Sequence, residues 1–435
     1  MKRFGILAAL TLAVMALSCA HAETLPTARP LTTKTPVLTA APEVTPAPQT
    51  GTDDAGDVQP EAVQEPDAAV TEPIGDLLAR AAVATPEPED GIVSIKLTAV
   101  GDCTFGGDVR RGYNKPFDKL GEEKGIDYFF DKVRTVFQND DLTIVNLEGP
   151  LTTAKKGKSS TYVFKADPKY IGILSGSSVE LANLANNHAY DYYDEGADET
   201  KALLTDAGIQ YSGFEDVAYF EVNGVRIASV GYSQWRYDTS DMVKAIEEAR
   251  PNCDILIFSV HWGVEGRETH SKAQQKQAHA LIDAGADIVI GTHSHTYGGV
   301  ELYNGKYIIY SLGNFCFAGN PDPYKRETYI FQEVLNFDTA TGEVSDGGIS
   351  IIPAKISGAE DTNDYQPYML EGEAGKALLD KIEDVSEIAF SEIKWLPESY
   401  EAIYGLYGMS MPALGETPEP TASPTPRPEN LVTVG

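Results

Sequence analysis

The chain has 435 residues, 65 of them acidic against 34 basic, and a formal net charge of -31. That balance excludes non-specific binding to nucleic acid or to an anionic membrane surface, since both would repel it. An anionic phosphate or polymer would also be repelled at long range, so local cations or metals would have to attract it.

Lys2 and Arg3 precede an apolar run from Ile6 to Leu17, and Ala20-His21-Ala22 gives the small-x-small pattern of a signal peptidase site. Residues 1–22 are therefore expected to be an export signal, too short for a comfortable membrane span. Ala16-Leu17-Ser18-Cys19 offers a second route, a lipid anchor through Cys19. Either way the protein is expected to be exported, secreted or held at the cell surface. After cleavage, Cys103, Cys253 and Cys316 remain, an odd set that cannot form a disulfide framework. They are expected to be buried as small apolar residues. No later stretch is long and apolar enough to cross a bilayer.

Residues 23–90 are rich in Pro, Thr, Ala and acidic residues and contain no aromatic residue. Such a segment cannot bury enough apolar area to offset its ordering entropy, so it reads as a disordered tether. A short helix over Ile74–Val83 is the one exception expected there. Residues 412–435 repeat the Pro-rich pattern and are expected to be disordered too. The folded domain is placed at 91–411, with a motif core at 93–355 and a C-terminal packing segment at 356–411.

Within the core, strand and helix signals alternate. Strands are predicted at Val93–Val100, Leu142–Asn146, Val179–Ala185, Arg226–Gly231, Ile255–His261, Ile288–Gly291 and Tyr307–Leu312, then at Tyr329–Phe337 and Gly348–Pro353. Several are near-continuous apolar runs, as buried strands of layered α/β proteins are. Helices are predicted at Tyr128–Gln138, Pro168–Ser175, Asp194–Ala207, Ser240–Ala249 and Lys272–Ala284. In the last, Ala273, Gln277, Ala280, Leu281 and Ala284 define an apolar face, and Gly285 is a C-cap candidate. Lys376–Phe390 reads as helix, and the aromatic segment Trp395 to Tyr407 as a packing element. The alternation predicts sheets covered by helices, with ligands gathering beyond the strand ends.

Four of the seven histidines sit at such ends. His188 closes Leu184-Ala-Asn-Asn-His188. His261 closes Ile255-Leu-Ile-Phe-Ser-Val-His261, where an imidazole after so apolar a run needs a hydrogen bond or a metal. Trp262 follows and suggests an aromatic wall nearby. His293 and His295 lie in Gly291-Thr-His-Ser-His295, spaced to serve one ion if extended or two if looped. Asp102 follows Leu97-Thr-Ala-Val-Gly101, and Glu148 follows Asn146 and precedes Gly-Pro. Asn187 adds a neutral oxygen donor. His279, on a predicted helix, is expected to face solvent, and His270 to line the cleft. Imidazole suits Zn and Fe while oxygen donors suit Mn, so one or two divalent cations (Mn, Fe or Zn) are expected without a choice among them. Two adjacent cations would clamp a phosphoryl centre, and His188 could then protonate a leaving group.

Taken in order, Ala99-Val-Gly-Asp102, Val145-Asn-Leu-Glu148, Leu184-Ala-Asn-Asn-His188, Val260-His-Trp-Gly-Val-Glu265, Gly291-Thr-His-Ser-His295 and Tyr310-Ser-Leu-Gly-Asn-Phe315 resemble the CapA family. This is the poly-γ-glutamate capsule biosynthesis group of the calcineurin-like metallophosphoesterase superfamily. The resemblance implies a four-layer α/β/β/α sandwich. It implies that Asp102 and His295 serve one metal, that Glu148 bridges, that Asn187, His261 and His293 serve the other, and that His188 is the catalytic acid. Thr104, Asn146, Trp262 and Asn314 would frame the site. The chain departs from the general superfamily pattern twice. The usual Asp-x-His is Asp102-Cys-Thr104, and the usual bridging Asp is Glu148. Two functions follow as alternatives. One is a metal-dependent hydrolase acting on a phosphoester or an anionic surface polymer. The other is a non-catalytic tethering or assembly subunit working with other capsule-assembly proteins.

Overall fold

The computed structural model describes residues 91–396. The leader, Cys19, the segment at Ile74–Val83, both tails and most of Trp395 to Tyr407 lie outside the described residues.

Four strands begin the first sheet: β1 (Ile92–Thr104), β2 (Leu142–Leu147), β3 (Leu181–Asn183) and β4 (Gln210–Ser212). The second sheet holds β5 (Ala218–Val222), β6 (Val225–Ser233), β7 (Ile255–His261), β8 (Ile288–Thr292), β9 (Val300–Tyr303) and β10 (Lys306–Ile309). The chain then returns through β11 (Asn314–Phe317), β12 (Glu327–Asp338), β13 (Val344–Lys355) and β14 (Tyr368–Met369). The strand orders are β14-β13-β12-β1-β2-β3-β4, with β11 also on β1, and β5-β6-β7-β8-β10-β9. Parallel pairing runs through β1, β2, β3 and β4 and through β6, β7, β8 and β10, so the carboxyl ends within each run lie side by side.

Period-two alternation of apolar residues builds the layers. On β7, Ile255 and Ile257 join Ile95, Leu97, Ile144 and Leu181 in a core between the sheets. Leu256, Phe258 and Val260 turn the other way, onto Met242, Ile246, Leu281 and Ile282. Those four come from the helices Thr239–Ala249 and Lys272–Asp283. On the outer face of the first sheet, Val145, Leu147 and Ala182 pack on Phe117, Phe130, Leu174 and Leu204. The result is helix, sheet, sheet, helix. Strands buried on both faces cannot alternate with polar residues, which is why β7 and β8 read as continuous apolar runs. Full burial of a Leu, Ile or Phe side chain contributes roughly 1.5–3 kcal/mol, so these faces fix the register.

Several boundaries differ from the sequence expectation. Tyr128–Gln138 forms a 3₁₀ turn at Ile126–Tyr128 and a single helical turn at Arg134–Phe137. Phe129, Phe130, Val133 and Phe137 are all buried there, and tertiary aromatic packing holds an irregular backbone that propensity alone would coil. β3 stops at Asn183, whose Oδ1 accepts from Ala185 N at 3.2 Å and turns the chain. The helix Lys272–Asp283 starts on a capping box between Ser271 and Gln274, and Gly285 follows with φ 117°. Its buried residues are Ala278, Leu281 and Ile282, so the face is rotated from the predicted one. The helix Asn114–Lys124 and strands β4, β5, β9, β11 and β14 carried too little apolar pattern to be predicted. All three described cysteines are free and buried, and burial pushes the Cys103 and Cys316 thiols up.

One core residue breaks the pattern. On β12, Tyr329, Phe331 and Leu335 face the inter-sheet core, and Glu333 shares their face with 1% exposure. Burial drives its carboxyl well above the ordinary range; Asp346 adds to that and Lys306 opposes it. The fold therefore favours the protonated form of Glu333. At low pH both folded and unfolded chains keep the proton. Above the unfolded value the unfolded chain ionises more readily than the fold, and stability falls by at most about 1.4 kcal/mol per pH unit. Glu333→Gln lacks that loss. Urea denaturation of both chains between about pH 5 and about pH 8 should show the variant's advantage widening with pH. Parallel profiles would mean Glu333 ionises as readily inside the fold as outside.

Candidate metal centre

The carboxyl ends of both sheets converge on one polar pocket. Register alone aligns much of it: Asp102 pairs with Asn146 and with Asn314, Asn146 with Asn183, and His261 with Thr292. Asp102 N donates to Gly313 O at 2.8 Å, so the 311–314 loop lies directly on β1. A Cβ on Gly101 would stand 1.9 Å from Gly313 O, which is why glycine precedes Asp102.

One cluster of donors surrounds His261 Nε2, which is fully buried. Asn187 Oδ1 lies 2.9 Å from it, His293 Nδ1 3.1 Å and Glu148 Oε1 3.7 Å. Donors bound to one cation at about 2.0–2.2 Å stand roughly 3–3.5 Å apart, so Asn187 and His293 each stand from His261 at close to the spacing of donors on one ion, with Glu148 just beyond it. Thr292 Oγ1 lies 2.9 Å from His261 Nδ1 and can accept its proton, leaving Nε2 as a lone-pair donor. Burial and the neighbouring histidines lower His261 well below its usual value and His293 to about 3. Both rings are neutral, the form that binds metal.

A second cluster joins Asp102, Glu148 and His295, whose ligand atoms all lie within 4.8 Å of one another. Asp102 Oδ2 and Glu148 Oε1 are buried and accept no hydrogen bond among the described residues. Burial pushes the Glu148 carboxyl up and Asp102 pushes it further. Burial also opposes charge on His295, but Glu148 and Asp102 outweigh it and raise that imidazole to about 10. His295 Nδ1 sits 3.3 Å from Asp102 Oδ2 and 2.9 Å from Asn314 Oδ1. Two buried carboxylates with open lone pairs call for positive charge, which a divalent cation would satisfy on displacing the His295 proton. The donor set thus fits metal, and Glu148 is common to both clusters.

The supporting shell is well connected. Asn146 Nδ2 donates to Asp102 Oδ1 at 2.7 Å and Asn183 Nδ2 to Asn146 Oδ1 at 2.9 Å. Thr104 Oγ1 donates to Glu148 Oε2 at 3.2 Å. His293 (φ 96°) and His295 (φ 56°) both adopt left-handed backbone, a strain of about 1–3 kcal/mol each that the surrounding contacts must offset.

His188 stands beside these donors. Its Nδ1 is 2.7 Å from Asp191 Oδ2, and its ring stacks on Phe164 at 3.9 Å. Asp191 is fully buried and is held by Phe164 N at 2.5 Å and Lys158 Nζ at 2.6 Å. With Nδ1 engaged, Nε2 is the nitrogen left for a substrate. Lys158 also donates to Asn187 O at 3.0 Å. Asp191, Phe164, Lys158, Asn183 and Thr292 were missed in the sequence. Only Asp191, one helical turn after His188, carried a signal.

Three expectations need correction. Trp262 does not frame the site: it follows His261 by one residue, so it points to the opposite face, fully buried, with Nε1 donating to Tyr310 O at 2.9 Å. The aromatic wall is Trp235, 49% exposed and 4.2 Å from the His293 ring. His270 does not line the cleft; it stacks on Tyr310 at 3.6 Å and pairs with Glu387 at 3.3 Å. His279 is not free in solvent but stacks on Tyr303 and meets Glu301 at 2.6 Å.

The chain is similar to several known proteins. The chain is 32% identical over 240 residues to "PGA biosynthesis protein CapA" of Bacillus subtilis (strain 168), covering 49% of this chain and 63% of that one, under two thirds of its length. It is 27% identical to "Capsule biosynthesis protein CapA" of Bacillus anthracis, over 68% of this chain and 77% of that one. A solved phosphatase from Mycoplasma pneumoniae aligns at 17% identity over 63% of this chain and 95% of that one, with a TM-score of 0.36; the fold here rests on its own strand pairing. Residues 96–319 match the family described as bacterial capsule synthesis protein PGA_cap, a span that holds every donor named above. The chain belongs to that family.

Proposed function

We propose that this domain is a metal-dependent hydrolase centre serving capsule polymer synthesis, with a phosphoester or related anionic group as substrate. The observation that carries the proposal is the convergence of Asn187, Glu148 and His293 donors on His261 Nε2, beside a histidine anchored by a buried aspartate. Asp102, Glu148 and His295 would hold one cation, and Glu148, Asn187, His261 and His293 the other. A divalent cation bound there supplies Lewis acidity and lowers the pKa of bound water. The protein's own groups do the rest. Asp191 fixes the His188 ring, and Nε2 delivers a proton to the departing oxygen. Four lysines and no acidic residue occupy 154–165, so this loop offers local attraction for an anion against the overall charge. Trp235 gives an exposed ring beside His293 for the rest of the substrate. The names of the two Bacillus relatives support poly-γ-glutamate or a related polymer as the setting. Export through residues 1–22, or anchoring at Cys19, fits a role at the cell surface. Among the described residues no helix is long and apolar enough to cross a membrane.

The test is hydrolysis of a chromogenic phosphodiester by the purified chain with Mn²⁺ added and with chelator. Metal-dependent turnover lost in His188→Gln is expected. Turnover that is absent, or indifferent to both chelator and His188, favours the assembly-subunit alternative.

A further inference from the structure

The loop after β7 carries a donor outside both clusters. We propose that Glu265 is a metal ligand of this centre, supplying a third donor at the His293–His295 turn. This rests on the metal-centre reading above and extends it to a residue that reading does not use. The ligand atoms of Glu265, His293 and His295 lie within 4.8 Å of one another, the same closeness that joins Asp102, Glu148 and His295. His295 belongs to both sets.

Placement of Glu265 is built in. Gly266 N donates to Ser294 O at 2.7 Å, tying the loop across the residue between the two histidines. Gly263 (φ 95°) and Gly266 (φ 75°) make the two turns that bring it there. Gln234 clamps the base of the loop, its Oε1 accepting from Gly263 N at 3.1 Å and its Nε2 donating to Gly263 O at 3.0 Å. The Glu265 carboxylate has no ion pair or side-chain hydrogen bond among the described residues, whereas Glu268 in the same loop pairs with Lys325 at 2.5 Å. Glu265 is exposed, so an ion reaches it from solvent. Imidazole and carboxylate together, with one side open, suit a cation that must also meet substrate.

The experiment titrates the chelator-stripped full chain with Mn²⁺ by calorimetry and measures bound metal by mass spectrometry. Glu265→Gln is compared with Glu268→Gln, which removes the same charge from the same loop without removing the donor. Circular dichroism verifies that both are folded. Glu265→Gln should lose one bound Mn²⁺ or weaken one step by about tenfold or more, with Glu268→Gln close to the native chain. Equal binding by the native chain and Glu265→Gln overturns the assignment alone. Equal weakening in both variants overturns it too, because loop charge then accounts for the loss. No Mn²⁺ bound by the native chain overturns both this assignment and the metal-centre reading.

Discussion

His188→Gln should lower kcat for phosphodiester hydrolysis by roughly 10²–10⁴-fold while leaving Mn²⁺ binding intact. The ring touches none of the proposed ligand atoms directly; its anchor is Asp191, 2.7 Å from Nδ1. Removing the imidazole removes the proton donor and spares the cradle. Asp191→Asn tests the anchor separately. Its amide can hold the ring in place only by changing which nitrogen carries the proton, because Asp191 already accepts from Phe164 N and pairs with Lys158. A smaller loss in kcat is therefore expected, with an altered pH profile and unchanged metal content. If His188→Gln instead releases metal, His188 is a ligand and the acid assignment fails.

The second large effect is on binding. His261→Ala should abolish one Mn²⁺ site, because three donors converge on the nitrogen it removes. At free metal one hundred times the dissociation constant, a bound ion stabilises the fold by about 2.7 kcal/mol. The native chain should gain that much per occupied site in urea denaturation with Mn²⁺, and the variant should gain nothing from the lost one. The variant will also be less stable without metal, since Thr292 loses a buried hydrogen-bond partner. The increment on adding metal separates the two causes. An equal increment in both chains would place the ion elsewhere.

Much of the fold was legible because the central strands are buried on both faces. Ile255–His261 was readable to its last residue, since nothing but an inner strand sustains such a run. The short strands β4 and β11 have three and four residues and owe their pairing to neighbours, which local pattern does not record. Donors at strand ends were visible for the same reason the strands were: a polar side chain after an apolar run has few uses. The residues that aim those donors were not visible. Asn183 and Thr292 look like ordinary strand residues, and Phe164 reaches His188 from a loop with no regular structure. Trp262 adjoins His261 in sequence but not in space, because on a strand successive side chains part company. Glu265 closes Val260-His-Trp-Gly-Val-Glu265, yet only the crossing of two loops shows that it meets His293 and His295.

The most direct measurement is anomalous diffraction from crystals of the protein soaked in Mn²⁺. Two peaks are predicted, one among Asn187, Glu148, His261 and His293 and one among Asp102, Glu148 and His295. Peaks confined to surface carboxylates, with the His261 pocket empty at saturating Mn²⁺, would contradict the metal centre and the chemistry built on it.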